Sequence, residues 1–374
     1  MGASNFHAVI TTIHPPTPAV RKLCRALHAL PAPSPLLILG DRKGPREYPL
    51  AGTDLFTLDR QLKLPLQLPQ LLPENHYVRK NLGYLVAVSR GAECIYETDD
   101  DNFPAAGWQL RARTVKAKRV TRPQWYNVYR YFSGDLIWPR GFPLEHITAR
   151  AKTAESSRGR AEPVFSPIQQ GLVDGSPDVD AIWRLVLDKP FRFRRKASVA
   201  LMSGVWCPFN SQSTWWWPEA YPLMYLPSYC TFRMTDIWRS FVAQRCLWAL
   251  GGAVTFHAAE AVQQRNPHNL LQDFQDEVPG YVANGQIAQL LGSLSLETGT
   301  EAVGANLLRC YDAMIQHGIL PKTERLLVKA WLKDLKQVTA TGRTPGRAVS
   351  SPASRVRAAG NPDPTPTVPD FRIP

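Results

Sequence analysis

The run Pro35-Leu36-Leu37-Ile38-Leu39-Gly40-Asp41 constrains the fold more than any other stretch of this chain. It is short, continuously apolar and closed by Gly-Asp, the pattern of a parallel strand buried on both faces that delivers a polar residue to its carboxyl edge. Parallel strands need crossover connections, and the flanking sequence supplies them. His7 to Ile13 is β-branched and runs into Pro15-Pro16, which predicts a strand followed by a loop. Ala19 to Leu30 carries Val20, Leu23, Leu27 and Leu30 at helical spacing. Asp54 to Leu58 predicts a further strand, while Pro65 and Pro69 exclude a regular helix from Leu62 to Leu72. His76 to Arg90 predicts a helix with Val78, Leu82, Leu85 and Val86 inward and Gly91 as its stop. Glu93 to Tyr96 then predicts a short strand. This alternation is an α/β half-domain, and open sheets of that kind bind ligands beyond the carboxyl ends of their strands.

An acidic run, Glu97-Thr98-Asp99-Asp100-Asp101-Asn102, stands at one such end. If the backbone stays extended, Asp99 and Asp101 share a side and Asp100 points away. Two carboxylates about 4 Å apart repel by about 4 kcal/mol at an effective dielectric near 20. Such a D-x-D pair favours a cation, and Mg²⁺ or Mn²⁺ suits it because hard divalent ions take carboxylate oxygens and substrate phosphates together. An isolated Asp triplet is more often a solvated turn; the position at a sheet edge favours a site.

With 374 residues and 44% hydrophobic content, the chain can fill one large domain or two ordinary ones. No apolar stretch is long enough to span a bilayer, there is no secretory signal, and Phe6 stands where myristoylation wants Ser or Thr, so a soluble, cytoplasmic protein is expected. Cys24, Cys94, Cys207, Cys230, Cys246 and Cys310 are scattered, without C-x-x-C or zinc-ligand spacing, and read as reduced thiols. The net charge of +13 points to an anionic partner, whether sugar nucleotide, nucleic acid or acidic membrane surface. Much of it lies in Arg111 to Arg122, Arg158 to Arg160, Arg192 to Lys196 and the tail.

From Trp108 to Met234 the sequence is rich in Trp, Tyr, Pro and Arg and predicts strands and long loops, an acceptor or specificity region. Helices are predicted over Thr235 to Leu250, Asn269 to Phe274, Val282 to Leu291 and Leu307 to Leu335. Beyond Thr339 large apolar residues almost vanish, so 340–374 reads as a disordered basic tail rich in Pro, Ser and Arg.

Five segments, in order, resemble the STELLO-type glycosyltransferases. They are Val78-Arg79-Lys80-Asn81-Leu82-Gly83-Tyr84-Leu85; Tyr96 to Asn102; Gln170-Gly171-Leu172-Val173-Asp174-Gly175-Ser176-Pro177-Asp178-Val179-Asp180-Ala181; Cys230 to Arg239; and Val254-Thr255-Phe256-His257 through Gln264 to Asn269. The likeness covers about residues 7 to 300. A more distant similarity is to the reversibly glycosylated polypeptides that act as UDP-arabinopyranose mutases. The resemblance implies an α/β GT-A glycosyltransferase fold over 1–339, with a Rossmann-like nucleotide-sugar half (1–107) and a mixed acceptor and catalytic half with C-terminal helices (108–339). It further implies a metal-dependent enzyme that moves a sugar from a nucleotide-sugar donor, a UDP-sugar, to a hydroxyl acceptor on a glycan, a linked lipid or another molecule. A UDP-sugar mutase or self-glycosylating protein, and a non-catalytic scaffold, are the alternatives. A nucleic-acid acceptor ranks below these, because no nucleic-acid motif is present.

On that pattern Asp101 and Asp99 are the metal-site acids, Asp99 also serving the ribose, with Asp100 orienting the sugar or facing solvent. Asp41 would meet the uracil or ribose, or form an ordinary turn. Arg79 and Lys80 would contact the diphosphate from their helix, or sit on a solvated face. Asp178 and Asp180 would face the sugar or acceptor, with Asp180 a catalytic candidate, although such loops are ordinarily turns. Trp216, in Trp215-Trp216-Trp217, would stack on a sugar or base, or pack under a lid. Asp236 is the candidate general base, a role contributing about 10²- to 10⁴-fold, with a helix N-cap as the rival assignment. His257 would be a further metal ligand, a lone His being more often structural. Arg265 and His268 would reach the diphosphate or substrate, or hold the turn between Gln264 and Asn269.

Overall fold

The computed structural model describes residues 5–148, 159–265 and 269–342. Its elements are β1 (Phe6–Thr11), α1 (Pro18–His28), β2 (Leu36–Leu39), β3 (Thr53–Phe56), α2 (Leu58–Leu62), α3 (Lys80–Ser89), β4 (Cys94–Thr98), β5 (Asn102–Pro104), β6 (Thr114–Val120), α4 (Val128–Ser133), β7 (Glu162–Phe165), β8 (Ile168–Gly175), α5 (Ala181–Leu187), β9 (Val199–Leu201), β10 (Ser213–Trp216), α6 (Thr235–Ala249), β11 (Val254–Gln263), α7 (Leu270–Ser293), α8 (Val303–Gln316) and α9 (Glu324–Gly342). One sheet runs β3-β2-β1-β4-β10-β8-β11-β9-β6-β7, with β5 added on β11. The first four strands are parallel, Val9 lying opposite Leu37 and Phe6 opposite Cys94. β10 is antiparallel to both β4 and β8, so it joins this block to the parallel pair β8 and β11. A block of parallel strands thus continues into a mixed part of the same sheet, the α/β organisation expected from the sequence.

Local chemistry explains why the first half forms as it does. Thr17 caps α1 by accepting the Val20 N–H at 3.1 Å, and Pro18 occupies the first turn, where a missing N–H costs nothing. The periodicity of α3 predicts one inner face, yet Lys80 through Val88 are all buried. One side lies on the sheet, where Gly83 is required: a Cβ there would come 2.4 Å from Leu39 Cδ2 and 2.5 Å from Val9 Cγ1. The other side is covered by α9, which brings Leu327, Val328 and Trp331 into the core.

The C-terminal helices differ from the sequence expectation in two places. The run predicted over Leu307 to Leu335 is two helices, broken by Gly318 at φ 70° and by Pro321. Conversely, the segments predicted around Asn269 to Phe274 and Val282 to Leu291 are a single helix that continues through Pro279. Packing of α7 against both α5 and α6 offsets the donor lost at that proline. Residues 340–342 complete α9, while the expected disordered tail beyond them lies outside the described residues. The six cysteines are free, as expected. Among the described residues, no helix is long and apolar enough to cross a membrane.

The central ion pair is Glu97 on β4 with Arg239 on α6, both essentially inaccessible to solvent. Arg239 donates to Glu97 Oε2 at 3.0 Å and Oε1 at 2.7 Å, and to Ser211 Oγ at 3.1 Å. Trp216 Nε1 donates to Glu97 at 3.0 Å, and the Tyr84 hydroxyl donates to the other carboxylate oxygen. Removing one member leaves an uncompensated buried charge. Arg239→Met is therefore expected to cost about 3–5 kcal/mol in chemical denaturation, whereas Glu97→Leu combined with Arg239→Met recovers part of that loss. An Arg239→Met protein as stable as wild type would contradict this picture of the core.

Candidate functional site

The carboxyl ends of the strands converge on a cleft of about 440 Å³. Thr11 to His14 enter it after β1, Gly40 and Asp41 after β2, Asp99 to Asp101 after β4, and Pro177 to Val179 after β8. Gln263 closes it from the end of β11, and Asp236 in the first turn of α6 forms part of its floor with Arg140.

β4 ends at Thr98, and Asp99 to Asp101 form a turn in place of extended backbone. The three carboxylates consequently fan out. Lys80, fully buried, donates to Asp99 Oδ1 at 2.9 Å and to the Thr98 carbonyl at 3.0 Å. Thr12 donates to Asp100, and Thr17 holds the Asp100 carbonyl at 2.5 Å. Gln263 Nε2 donates to Asp101 Oδ2 at 3.0 Å, while Asp101 Oδ1 is buried and has no hydrogen-bond partner. Burial, reinforced by the neighbouring charge of Asp99, pushes the Asp101 carboxyl up to about 7. Burial also raises Asp99, against the pull of Lys80.

The opposite wall is organised by Arg140, which sequence reasoning missed. Its five N–H donors are all engaged: Nε and Nη2 on Asp178 at 2.9 and 2.7 Å, Nη1 and Nη2 on Asp236 at 3.0 and 3.1 Å, and Nη1 again on the Arg233 carbonyl. Gly141, at φ 86°, lets this loop sit against α6, since a Cβ would lie 2.3 Å from Ile237 Cγ2. Asp236 also accepts from Ser211 N at 3.1 Å and lies 3.5 Å from the Tyr77 hydroxyl. Burial would raise its carboxyl, but the charge and hydrogen bonds of Arg140 hold it below the usual carboxylate range. Asp236 does not cap the helix, whose N-cap is Met234.

The structure brings Asp41, Asp99, Asp100, Asp101, Asp178, Asp236 and Arg265 to the cleft. Asp41 accepts from Arg42 N at 2.7 Å and His76 N at 3.1 Å. Arg265 pairs with Asp273 at 2.5 Å, and its pKa is lowered by burial and by Arg233 and Arg184 nearby.

Other candidates are placed elsewhere. Arg79 touches the cleft wall, but its guanidinium turns inward to Gln61 Oε1 at 2.6 Å and the Leu72 carbonyl at 3.1 Å, tying down the proline-rich segment. Lys80 is spent on positioning Asp99. Asp180 is the N-cap of α5, accepting Trp183 N at 2.8 Å and Trp138 Nε1 at 2.6 Å beneath the surface, where burial pushes it up to about 7. Trp216 is a core residue on a central strand, with no face open to a sugar. His257 is buried with both ring nitrogens engaged, Nδ1 by Ser198 Oγ at 2.7 Å and Nε2 by Gln169 at 3.0 Å. Burial, then the charge of Arg111, drives its pKa far down. The residue of β11 that meets Asp101 is Gln263, six positions on and about 20 Å further along the strand. His268 lies outside the described residues.

Besides Arg140, the sequence reading overlooked Thr12, Tyr77, Gln263, Arg184 and Arg233. Tyr77 stands directly before a recognised motif, and Arg233 lies inside one; Arg140 carries no local signal.

The sequence model for the family described as STELLO glycosyltransferases matches residues 233–342, from the cleft-lining Arg233 to the end of α9. The chain is STELLO-like. It is 28% identical over 344 residues to the probable glycosyltransferase STELLO1 of Arabidopsis thaliana, covering 87% of this chain and 44% of that protein. It is also 28% identical over 348 residues to the probable glycosyltransferase STELLO2 of the same plant, covering 86% and 44%. The STELLO-like chain therefore spans under half the length of these relatives. A crystal structure of glucosyl-3-phosphoglycerate synthase from M. tuberculosis aligns over 75% of this chain and 80% of its own, with 8% identity and a TM-score of 0.38.

The raised Asp101 carboxyl has a signed consequence for stability. Its folded value of about 7 exceeds the unfolded value of ~3.9, so metal-free stability is full below pH ~4 and falls as pH rises towards about 7. Asp101→Asn should melt roughly 2–4 °C higher than wild type at pH 8 without metal, and the difference should close below pH ~4. Equal melting temperatures at pH 8 would show that Asp101 carries no such strain.

Proposed function

We propose that the cleft is the active site of a metal-dependent glycosyltransferase that takes a nucleotide-sugar donor, a UDP-sugar, and glycosylates a hydroxyl acceptor. The observation that carries this reading is the buried Asp101 Oδ1, unpartnered and flanked by Asp99 and Asp100 at the carboxyl edge of a parallel sheet. Among the described residues, no group of three or more His, Cys, Asp or Glu would hold a metal unaided. Mg²⁺ and Mn²⁺ do not need one, because they are commonly bound by one or two carboxylates completed by substrate phosphates and water. Asp101 and Asp99 fit that mode. Such an ion, when bound, supplies Lewis-acid neutralisation of the departing nucleoside diphosphate.

The remaining roles belong to the chain itself. Lys80 and Gln263 fix Asp99 and Asp101. Asp41, at the end of β2, is available to the base or ribose, and Asp100, held by Thr12, to the sugar. Asp178 and Asp236 reach the acceptor side only as partners of Arg140. A carboxylate held by Arg140 and Ser211 is a weak base at neutral pH, so we assign Asp236 to positioning Arg140.

A thermal-shift panel of nucleotide sugars, with and without Mn²⁺, tests the reading. A UDP-sugar should raise the melting temperature only with metal, and Asp101→Ala should abolish the shift. If no donor shifts the protein under any condition, the non-catalytic scaffold alternative replaces this one. Once a donor is known, Asp236→Asn separates two roles. Loss of a general base predicts a kcat fall of about 10²- to 10⁴-fold with loss of the acid limb of the pH profile. Positioning predicts an unchanged pH profile and a lower melting temperature.

A further inference from the structure

We propose that the protein docks on acidic membrane surfaces through an apolar ridge at the end of α5 and the basic strand-like segment that follows it. The ridge is Leu136, Leu185, Val186 and Leu187, with relative exposures of 51%, 44%, 73% and 37%. α5 is short, and Ala181, Trp183 and Arg184 use its inner face, so its last turn presents three consecutive aliphatic side chains to water. Leu136 joins them because its carbonyl accepts Trp183 Nε1 at 2.9 Å.

The segment after α5 sets positive charge beside this ridge. Phe191 exchanges backbone hydrogen bonds with Gly175, and Phe193 N donates to Asp174 at 2.9 Å, so both rings turn inward. Lys189, Arg192, Arg194 and Lys196 are all exposed. The Arg194 guanidinium lies against Gly134, within 3.6 Å of where a Cβ would stand, two residues from Leu136. Lys196 reaches the Tyr131 carbonyl at 2.6 Å, and burial, then the charges of Arg194 and Lys118, lower its pKa. None of the four forms a salt bridge among the described residues. The nearby Asp188 is paired with Arg184 at 3.2 Å, and Asp174, which accepts from Phe193 N and feels the charge of Arg192 and Arg195, and exposed Asp135 offset only part of the positive charge of the segment.

Charge complementarity selects an anionic partner, and the ridge selects a membrane over a nucleic acid. Single-stranded nucleic acids are gripped by exposed aromatic rings on which bases stack. Here the rings are buried and the exposed apolar groups are aliphatic, which suits shallow insertion among lipids beside basic residues that meet anionic headgroups. α5 also carries Arg184 into the cleft, so the ridge borders the site described above.

Flotation of the full chain with phosphatidylcholine vesicles, with or without phosphatidylserine, tests this. Binding is expected to require phosphatidylserine and to weaken with salt. Arg192→Gln/Arg194→Gln/Lys196→Gln and, separately, Val186→Ser/Leu187→Ser should each lower binding by about tenfold or more. All substitutions are at exposed positions, and an unchanged melting temperature confirms folding. Absence of flotation, equal binding to both vesicle types, or wild-type flotation by both variants would overturn the proposal. So would a basic variant that floats normally but loses affinity for poly-uridine RNA. Because vesicle binding needs no donor, its outcome is separate from that of the nucleotide-sugar panel.

Discussion

The pair formed by Glu97 and Arg239 is the joint on which the cleft depends. Glu97 lies two residues before Asp99 on β4, and Arg239 lies one helical turn after Asp236 on α6. Fixing one pair of side chains therefore fixes the acidic turn relative to the opposite wall. Trp216 and Tyr84 satisfy both carboxylate oxygens of Glu97 and Ser211 accepts from Arg239, which offsets part of the desolvation of the buried pair, although Arg239 Nε has no hydrogen-bond partner. The Trp triplet belongs to the same account. Trp216 bonds Glu97 from one face of β10, and Trp215 bonds Glu260 at 2.7 Å from the other, so both indoles serve buried acids and neither is free for a ligand.

Electrostatics in the cleft follow from how completely its arginines are engaged. Arg140 spends every donor on Asp178, Asp236 and a carbonyl; as a trio these groups carry a net charge of −1. Arg233 is paired with Glu277 at 2.7 Å, Arg265 with Asp273, and Arg184 with Asp188. Against them stand Asp99, Asp100 and Asp101, of which, among the described residues, only Asp99 has a salt-bridge partner. A bare diphosphate entering this space would meet acids before it met unpaired arginines. A divalent cation reverses that balance, because it is attracted by the acidic turn and in turn attracts the phosphates. On the reading proposed above, that surplus of carboxylate suits a bound cation, although no group of three or more metal-ligating side chains occurs among the described residues.

Much of the first half of the fold was legible in the sequence because parallel strands and their crossover helices leave continuous apolar runs bounded by Gly and Pro. Leu36 to Leu39, the stop at Gly91 and the start of α1 all follow from such local signals. The placement of Asp41 and the acidic run followed too, since their strands had to end at one edge. What failed was orientation. Alternation along an extended strand does not apply to Asp99 to Asp101, because the chain turns there. Asp180 and His257 lie in family-like segments and Trp216 in an aromatic patch, yet each is buried with its polar atoms satisfied, Asp180 by Trp183 and Trp138, His257 by Ser198 and Gln169, and Trp216 by Glu97. Arg140 was invisible for the converse reason: its importance lies in two carboxylates 38 and 96 residues away.

The stretch that matches the STELLO family model starts at Arg233, two residues ahead of α6, and takes in the whole of that helix. Along α6, Asp236 faces the cleft, Arg239 anchors β4, Gln244 accepts the Cys207 N–H at 3.1 Å, and Arg245 donates to the Leu291 carbonyl of α7 at 2.9 Å. Successive positions of one helix therefore hold the parallel part of the sheet, the loop before β10 and the C-terminal helices in a common frame.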